Sequence, residues 1–171
     1  MTSTSILKSE LMKYKRSILW KGVFFIPVLS FLLLTADLHV RYSFLMAEEH
    51  IKSLYDLGIY DRIGALIYES HASTLWFILL NLSIVVVAVI VNYMEYSEKT
   101  WKQIISRPVE RSKIYLSKWI VVLAAAFILV ILNGIFLIII KNLFHIDGSY
   151  RLIFNYIGFE LCTVLGVVGF E

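Results

Sequence analysis

The stretch YSEKTWKQIISRPVERSKIY, residues 96–115, is charged and polar, yet it lies between two of the most apolar runs in the chain. Residues 72–94 before it carry no charge over 23 positions, and residues 119–140 after it carry none over 22. A helix needs about 20 apolar residues to cross a bilayer. The two runs are therefore predicted to be transmembrane helices, joined by a short polar segment on one side of the membrane.

Composition extends this interpretation to the whole chain. Hydrophobic residues make up 59% of the sequence, against about 45–50% in soluble domains, and the mean hydropathy is +0.77. We predict an all-α, polytopic membrane protein with four spans and no ten-residue alternation typical of a membrane barrel. The predicted segments are an interfacial helix (1–17), span 1 (18–36), an outer loop (37–71), span 2 (72–94), a cytoplasmic segment (95–113), span 3 (114–140) and span 4 (152–170).

Lysine and arginine counts predict the orientation. The amino-terminal segment up to residue 21 carries five and residues 95–118 carry six, whereas residues 37–71 carry three and 141–151 carry two. Positive residues concentrate on the cytoplasmic side of membrane proteins. We therefore expect a cell-membrane protein with a cytoplasmic amino terminus, and we attribute the net charge of +3 to topology rather than to nucleic-acid binding. Trp76 is expected in the outer aromatic belt.

Two cytoplasmic pieces have amphipathic spacing. Residues 1–17 place apolar side chains on one helical stripe, which indicates a helix lying flat at the interface or simply a lead-in to span 1. Residues 97–106 form the second piece, in which Trp101, Ile104 and Ile105 share a helical face. Pro108 ends this helix. Its apolar face suits a groove on a partner protein, or the lipid surface.

This second piece resembles the ABC-2-type permeases of ATP-binding-cassette exporters, in particular the branch tied to bacitracin and lantibiotic immunity. In that family an acidic residue closes the second span, a Glu-x-x-Thr-Trp pattern follows, and a basic-Pro-x-x-Arg turn leads to an Ile-Tyr-x-x-Lys entry. The matching residues here are Glu95, Glu98, Thr100, Trp101, Lys102, Arg107, Pro108, Arg111, Ile114, Tyr115 and Lys118.

The resemblance implies a single permease domain over residues 1–171, paired with a second copy or a paralogue and with ABC ATP-binding subunits. It implies that the segment is the coupling helix that docks on such a subunit, through Glu98, Thr100, Trp101, Lys102, Ile104, Ile105, Arg107, Pro108 and Arg111. ATP and Mg²⁺ are then held by the partner, since this chain has no phosphate-binding glycine loop. Family members have six spans, so four spans imply a truncated or half-size permease.

Span 4 contains Glu160, the single acidic residue inside a predicted span. A carboxylate at that depth is costly, so it is expected either to line a substrate path with Tyr156 and Thr163 or to bond to a neighbouring helix. The opposite face is expected to allow close helix packing through small residues, namely Gly158, Cys162, Gly166 and Gly169.

The remaining features indicate no enzyme. The four histidines are not at metal-binding spacing, one cysteine excludes an internal disulfide, and no nucleophile motif occurs. In the outer loop two amphipathic pieces flank Gly58 and are expected on the outer leaflet, as a gate or a structural lid. Two other functions stay open: a small immunity or scaffold protein that binds a toxin without an ATPase, and a proton-coupled carrier that uses Glu160.

Overall fold

The computed structural model describes residues 12, 18–72, 74–97 and 111–170. This part of the chain is helical and contains no strand, so the all-α prediction is confirmed. A 3-10 turn lies at Tyr55–Leu57. The α-helices are α1 (Ile18–Leu45), α2 (Glu48–Ser53), α3 (Arg62–Ala72), α4 (Trp76–Ser97), α5 (Arg111–Leu143) and α6 (Tyr150–Phe170).

Helices α1, α4, α5 and α6 contain the four candidate membrane spans, by length and apolar composition. Large apolar side chains are exposed along all four, among them Phe25 on α1, Val89 on α4, Ile131 on α5 and Phe159 on α6. Soluble monomers rarely expose contiguous apolar surface on this scale. These outer faces are therefore suited to lipid.

The central helix of the bundle is α5, which packs against α1, α4 and α6. It has 33 residues and is about 50 Å long at 1.5 Å per residue. The buried core along it has two layers. The first joins α4 and α5 to the amino-terminal part of α1 and the carboxyl-terminal part of α6, and the second joins the other halves of α1, α5 and α6 to α3.

The 37–71 segment differs from the predicted surface loop. Helix α1 continues to Leu45, beyond the predicted end at residue 36, and Arg41 there forms a bidentate pair with Asp37, at 2.7 and 2.8 Å. In α3, Ile63, Ala65 and Leu66 are completely buried. The prediction that this helix lies on the leaflet surface is wrong, because its apolar face packs against the protein and completes the second core layer.

The start of span 2 also differs from the prediction. The apolar run from residue 72 was assigned to one helix, but α3 ends at Ala72 and α4 begins at Trp76. Leu75 between them has φ 52°, which a right-handed helix cannot accommodate. The Thr74 hydroxyl donates to the carbonyl of Ser70 in the last turn of α3. The uncharged run therefore contains the end of one helix and most of the next.

The turn between α5 and α6 fixes α3 in place. Gly148 has φ 142° and lies against Ile63, and a Cβ at this position would lie 2.7 Å from the Ile63 Cδ1 atom. The close approach of the turn to α3 therefore requires glycine. Across this turn, the ammonium of Lys141 on α5 lies 4.0 Å from the centre of the Tyr150 ring on α6, which shields a buried charge.

Candidate functional site

The side chain of Glu160 lies in the middle of α6 and is only 4% exposed. The indole Nε1–H of Trp76, at the start of α4, donates to both carboxylate oxygens, at 2.8 and 3.1 Å. The Tyr156 hydroxyl, one turn earlier on α6, donates to Oε1 at 2.5 Å. A buried carboxylate is tolerated when donors of this kind satisfy it. Glu160 therefore joins α6 to α4 through a hydrogen-bonded junction.

Two further helices contribute to this junction. The Asn133 amide of α5 donates to the Tyr156 hydroxyl at 3.5 Å, the outer limit for such a bond. From α3, the Nε2 atom of His71 lies 3.9 Å from Oε1 of Glu160, and its ring stands edge-on to Tyr156 at 5.4 Å between centroids. Side chains from four helices thus meet around Glu160, with Asn133 linked through Tyr156, and we call these five side chains the Glu160 junction.

Burial lowers the pKa of His71 below its ordinary value. The neighbouring Glu160 carboxylate does not reverse this shift, because the cost of burying an imidazolium is the larger effect. His71 is therefore neutral at neutral pH. A neutral imidazole can present a lone pair or an N–H group to the carboxylate, whereas a protonated one would add a positive charge to the junction.

A chain of hydroxyl groups ties the α3–α4 turn to α1. The Ser30 hydroxyl of α1 donates to the Thr74 hydroxyl at 3.3 Å, and Thr74 donates in turn to the carbonyl of Ser70. All three residues are buried. The turn that precedes Trp76 is therefore held on one side by α1 and on the other by Glu160.

The last turn of α3 also contacts a second, ionic cluster. Glu69 is buried, and its carboxylate lies 3.7 Å from Nη2 of Arg41 and 3.5 Å from Nε2 of His50. Two positions of α3, separated by one residue, therefore contact different neighbours: Glu69 faces α1 and α2, and His71 faces α6. Movement of this turn would have to break both sets of contacts.

The junction is built from hydrogen bonds and charged or polar side chains. No group of three or more potential metal-binding side chains occurs among the residues that the structure describes. With Glu160 almost completely buried, bulk solvent does not reach its carboxylate. The arrangement can hold helices together, release them, or exchange a proton.

Two of the three residues predicted for span 4 come together. Glu160 and Tyr156 are bonded to each other, whereas the Thr163 hydroxyl donates to the carbonyl of Phe159 on its own helix, at 3.0 Å. The carboxylate bonds to a neighbouring helix, which is one of the two arrangements expected from the sequence. Its role in a substrate path stays a prediction.

The small-residue face of α6 makes no close helix contact within the described chain. Cys162 is exposed, and no atom lies within 4 Å of a Cβ built on Gly158 or Gly166. The polar groups of Glu160 and Tyr156 need partners, so their face turns inward and the small face turns outward. Close packing occurs instead at Gly134 of α5, against Ile157.

The predicted coupling residues lie mostly outside the described part of the chain, as does the interfacial helix apart from Met12. Glu98, Thr100, Trp101, Lys102, Ile104, Ile105, Arg107 and Pro108 all belong to residues 98–110. Arg111 is the first residue of α5. The docking role of these residues stays a prediction.

The sequence did not identify Trp76 or His71 as partners of Glu160. Trp76 was expected in an aromatic belt, but it is completely buried, because its N–H group satisfies the carboxylate. The sequence does contain one indication of Trp76. A carboxylate deep in the membrane requires a hydrogen-bond donor, and the indole N–H of Trp76, near the start of an uncharged run, is such a donor. His71 could not be found in this way, since its approach depends on the packing of α3.

A bundle of four apolar helices around a buried polar junction, with a basic connection between the second and third, defines an integral membrane protein with multiple spans. The sequence matches the family model described as "ABC-2 family transporter protein" over residues 6–170. The chain belongs to this family and is a permease component of an ABC transporter. No curated protein and no solved structure matches it.

Proposed function

We propose that this permease couples ATP hydrolysis in a separate ATP-binding subunit to the export of a peptide or another amphiphile. The partner holds ATP and Mg²⁺, and a second permease copy or a paralogue completes the membrane part. The amino terminus and residues 95–118 face the cytoplasm, as the distribution of lysine and arginine favours. The peptide substrate follows from the resemblance to the immunity branch.

The main support for this proposal is the path of α4. This helix follows the α3–α4 turn, which is tied to Glu160 through Trp76, and it continues without interruption for 22 residues to Ser97. It is about 33 Å long at 1.5 Å per residue. Residues 98–110 then connect it to α5, which contributes Asn133 to the same junction. Two helices therefore lead from the proposed docking segment to Glu160.

A helix of this kind transmits displacement to its far end. Closure of the ATP-binding subunits would push residues 98–110 and shift α4 along α5 and α6. A shift of about 1 Å takes a 2.8 Å hydrogen bond beyond useful length. The Trp76–Glu160 pair would then separate, and the last turn of α3 would lose its contact with α6. We assign α3 the role of the gate on the side opposite to the ATPase.

The decisive experiment replaces the apolar face of the proposed coupling helix. Trp101→Ala combined with Ile104→Ala removes an interface anchor, which typically costs about 2 kcal/mol or more of binding, or roughly a thirtyfold loss of affinity. We expect the ATPase to be lost during co-purification while the permease still reaches the membrane. Gln103→Ala is the matched control, since helical spacing predicts Gln103 opposite the apolar face and it is not one of the predicted docking residues. Full ATPase recovery with the double variant would refute the coupling role.

The same preparation separates this function from its rivals. An immunity or scaffold protein that acts without an ATPase co-purifies with none, even as the wild type. A carrier driven through Glu160 retains transport when ATP is depleted. Recovery of an ABC ATPase with the wild-type chain, together with ATP-dependent transport, is the result we expect.

A further inference from the structure

A small groove opens at the end of the bundle that adjoins residues 98–110. Helices α4, α5 and α6 enclose it, and its volume is about 60 Å³. One part of its lining, its wall, is apolar, and the other part consists of polar and aromatic side chains. The wall consists of Ala88, Val91, Val122 and Val168, and the polar and aromatic side chains are Asn92, Tyr115, Lys118 and Trp119.

The polar side of the groove is ordered by contacts between the helices. The ammonium of Lys118 lies 3.4 Å from Oδ1 of Asn92 across the gap between α5 and α4. The Trp119 indole donates to the carbonyl of Val168 at 2.9 Å, and Tyr115 is 61% exposed. Lysine and aromatic side chains above an apolar wall are typical of the membrane–water interface.

The excess of positive charge in residues 95–118, next to the groove, favours an anionic ligand. Residues 95–118 contain six lysines and arginines against three glutamates. Clusters of four to eight such cations beside a membrane helix attract anionic lipid headgroups. The groove itself is too small for a whole lipid or a peptide segment, but it can take the upper part of one acyl chain whose remainder stays in the bilayer.

We propose that this groove is a binding site for an anionic phospholipid. The lipid phosphate lies beside Lys118 and Tyr115, and the first methylene groups of one chain contact Ala88 and Val122. Helices α4 and α5 are thereby bridged next to the segment that connects them. The site does not depend on the proposed coupling to an ATPase, since all its residues belong to this chain.

The test measures which lipid stays bound to the purified full-length chain. Protein in mild detergent is mixed with equal amounts of phosphatidylglycerol and phosphatidylcholine, and bound lipid is counted by native mass spectrometry. We expect a preference for phosphatidylglycerol. Lys118→Gln should lower this preference about fivefold, the effect of about 1 kcal/mol per basic residue. Ala88→Phe, which fills the groove, should remove bound lipid of both kinds.

Lys21→Gln is the matched control, because Lys21 is exposed on α1 near the same end of the bundle but does not line the groove. It should leave the lipid ratio unchanged. An equal loss with Lys21→Gln would overturn the proposal in favour of diffuse surface charge. Wild-type lipid binding by both Lys118→Gln and Ala88→Phe would also overturn it. Displacement of the lipid by millimolar inorganic phosphate would show a phosphate site instead.

Discussion

Trp76 and Glu160 are separated by 84 positions in the sequence, yet the indole N–H of Trp76 bonds to both oxygens of the Glu160 carboxylate. The first residue of one helix is thereby fixed to the middle of another. This bond places the start of α4 partway along α6, and α3 occupies the space that α4 leaves in the second core layer. The helix break at residues 74–75 and the deep carboxylate are therefore parts of one arrangement.

The first prediction concerns this bond. Trp76→Phe keeps an aromatic ring but removes the N–H donor, which leaves the carboxylate with Tyr156 as its nearest remaining donor. Leaving a buried group without its partner costs about 1–3 kcal/mol, so the melting temperature of the purified protein in detergent should fall. Glu160→Gln should have a smaller effect, because the amide oxygen still accepts a bond from Trp76.

Trp20→Phe is the control for this prediction. Trp20 is a partly buried tryptophan that packs against the first core layer, so its replacement tests the loss of indole volume alone. Equal melting temperatures for the Trp76→Phe and Trp20→Phe proteins would mean that the bond to Glu160 contributes nothing measurable.

The second prediction concerns the contact between α5 and α6. A Cβ on Gly134 would lie 2.6 Å from Cγ1 of Ile157, so Gly134→Ala requires the Ile157 side chain to shift or the two helices to move apart. Overpacking of this kind costs about 1–3 kcal/mol. Gly158→Ala on α6 should be neutral or stabilising, because its Cβ meets no atom within 4 Å and alanine favours helix.

Rescue distinguishes overpacking from a general defect at Gly134. Ile157→Ala removes the obstructing carbons, so it should restore part of the stability lost in the Gly134→Ala protein. Thermal melting of both single variants and the double variant measures the coupling. Additive effects of the two substitutions would contradict the close contact.

The third prediction concerns pH. Burial lowers the pKa of His71 in the folded protein, so the unfolded state binds a proton at a pH where the folded state does not. The contribution of neutral His71 to folding stability is therefore complete above the ordinary histidine pKa of about 6.5. This contribution declines as pH falls below that value. The melting temperature should therefore drop on acidification through this range, and His71→Asn should reduce the drop.

His39→Asn is the matched control, since His39 is exposed on α1. It should preserve the full pH dependence of the wild type. A drop of the same size in the His71→Asn protein would show that His71 is not the source of the pH dependence.

Hydropathy was sufficient to predict the four long helices because lipid-facing and core residues are both apolar. It was not sufficient for α3. The amphipathic pattern of Ile63 and Leu66 is the same whether the apolar face meets lipid or protein, and only the complete burial of both side chains separates the two cases. The sequence predicted that Glu160 needs a partner, but the identity of that partner depends on where α4 begins. Leu75 lies within an uncharged run, so its position in the sequence does not reveal the start of α4.

The fourth prediction concerns orientation, on which the proposed docking of an ATPase depends. The distribution of lysine and arginine favours residues 95–118 inside and 37–71 outside. Ser53 at the end of α2 and Ser112 at the start of α5 are both exposed, so a cysteine at either position is accessible to reagent from its own side.

The experiment replaces Cys162, since it is also exposed. A cysteine at position 53 should then react with a membrane-impermeant maleimide in intact cells. A cysteine at position 112 should react only after the cells are opened, and this second measurement proves that it is reactive. Labelling of position 112 but not 53 in intact cells would reverse the orientation, and an ATP-binding subunit could then not reach residues 98–110.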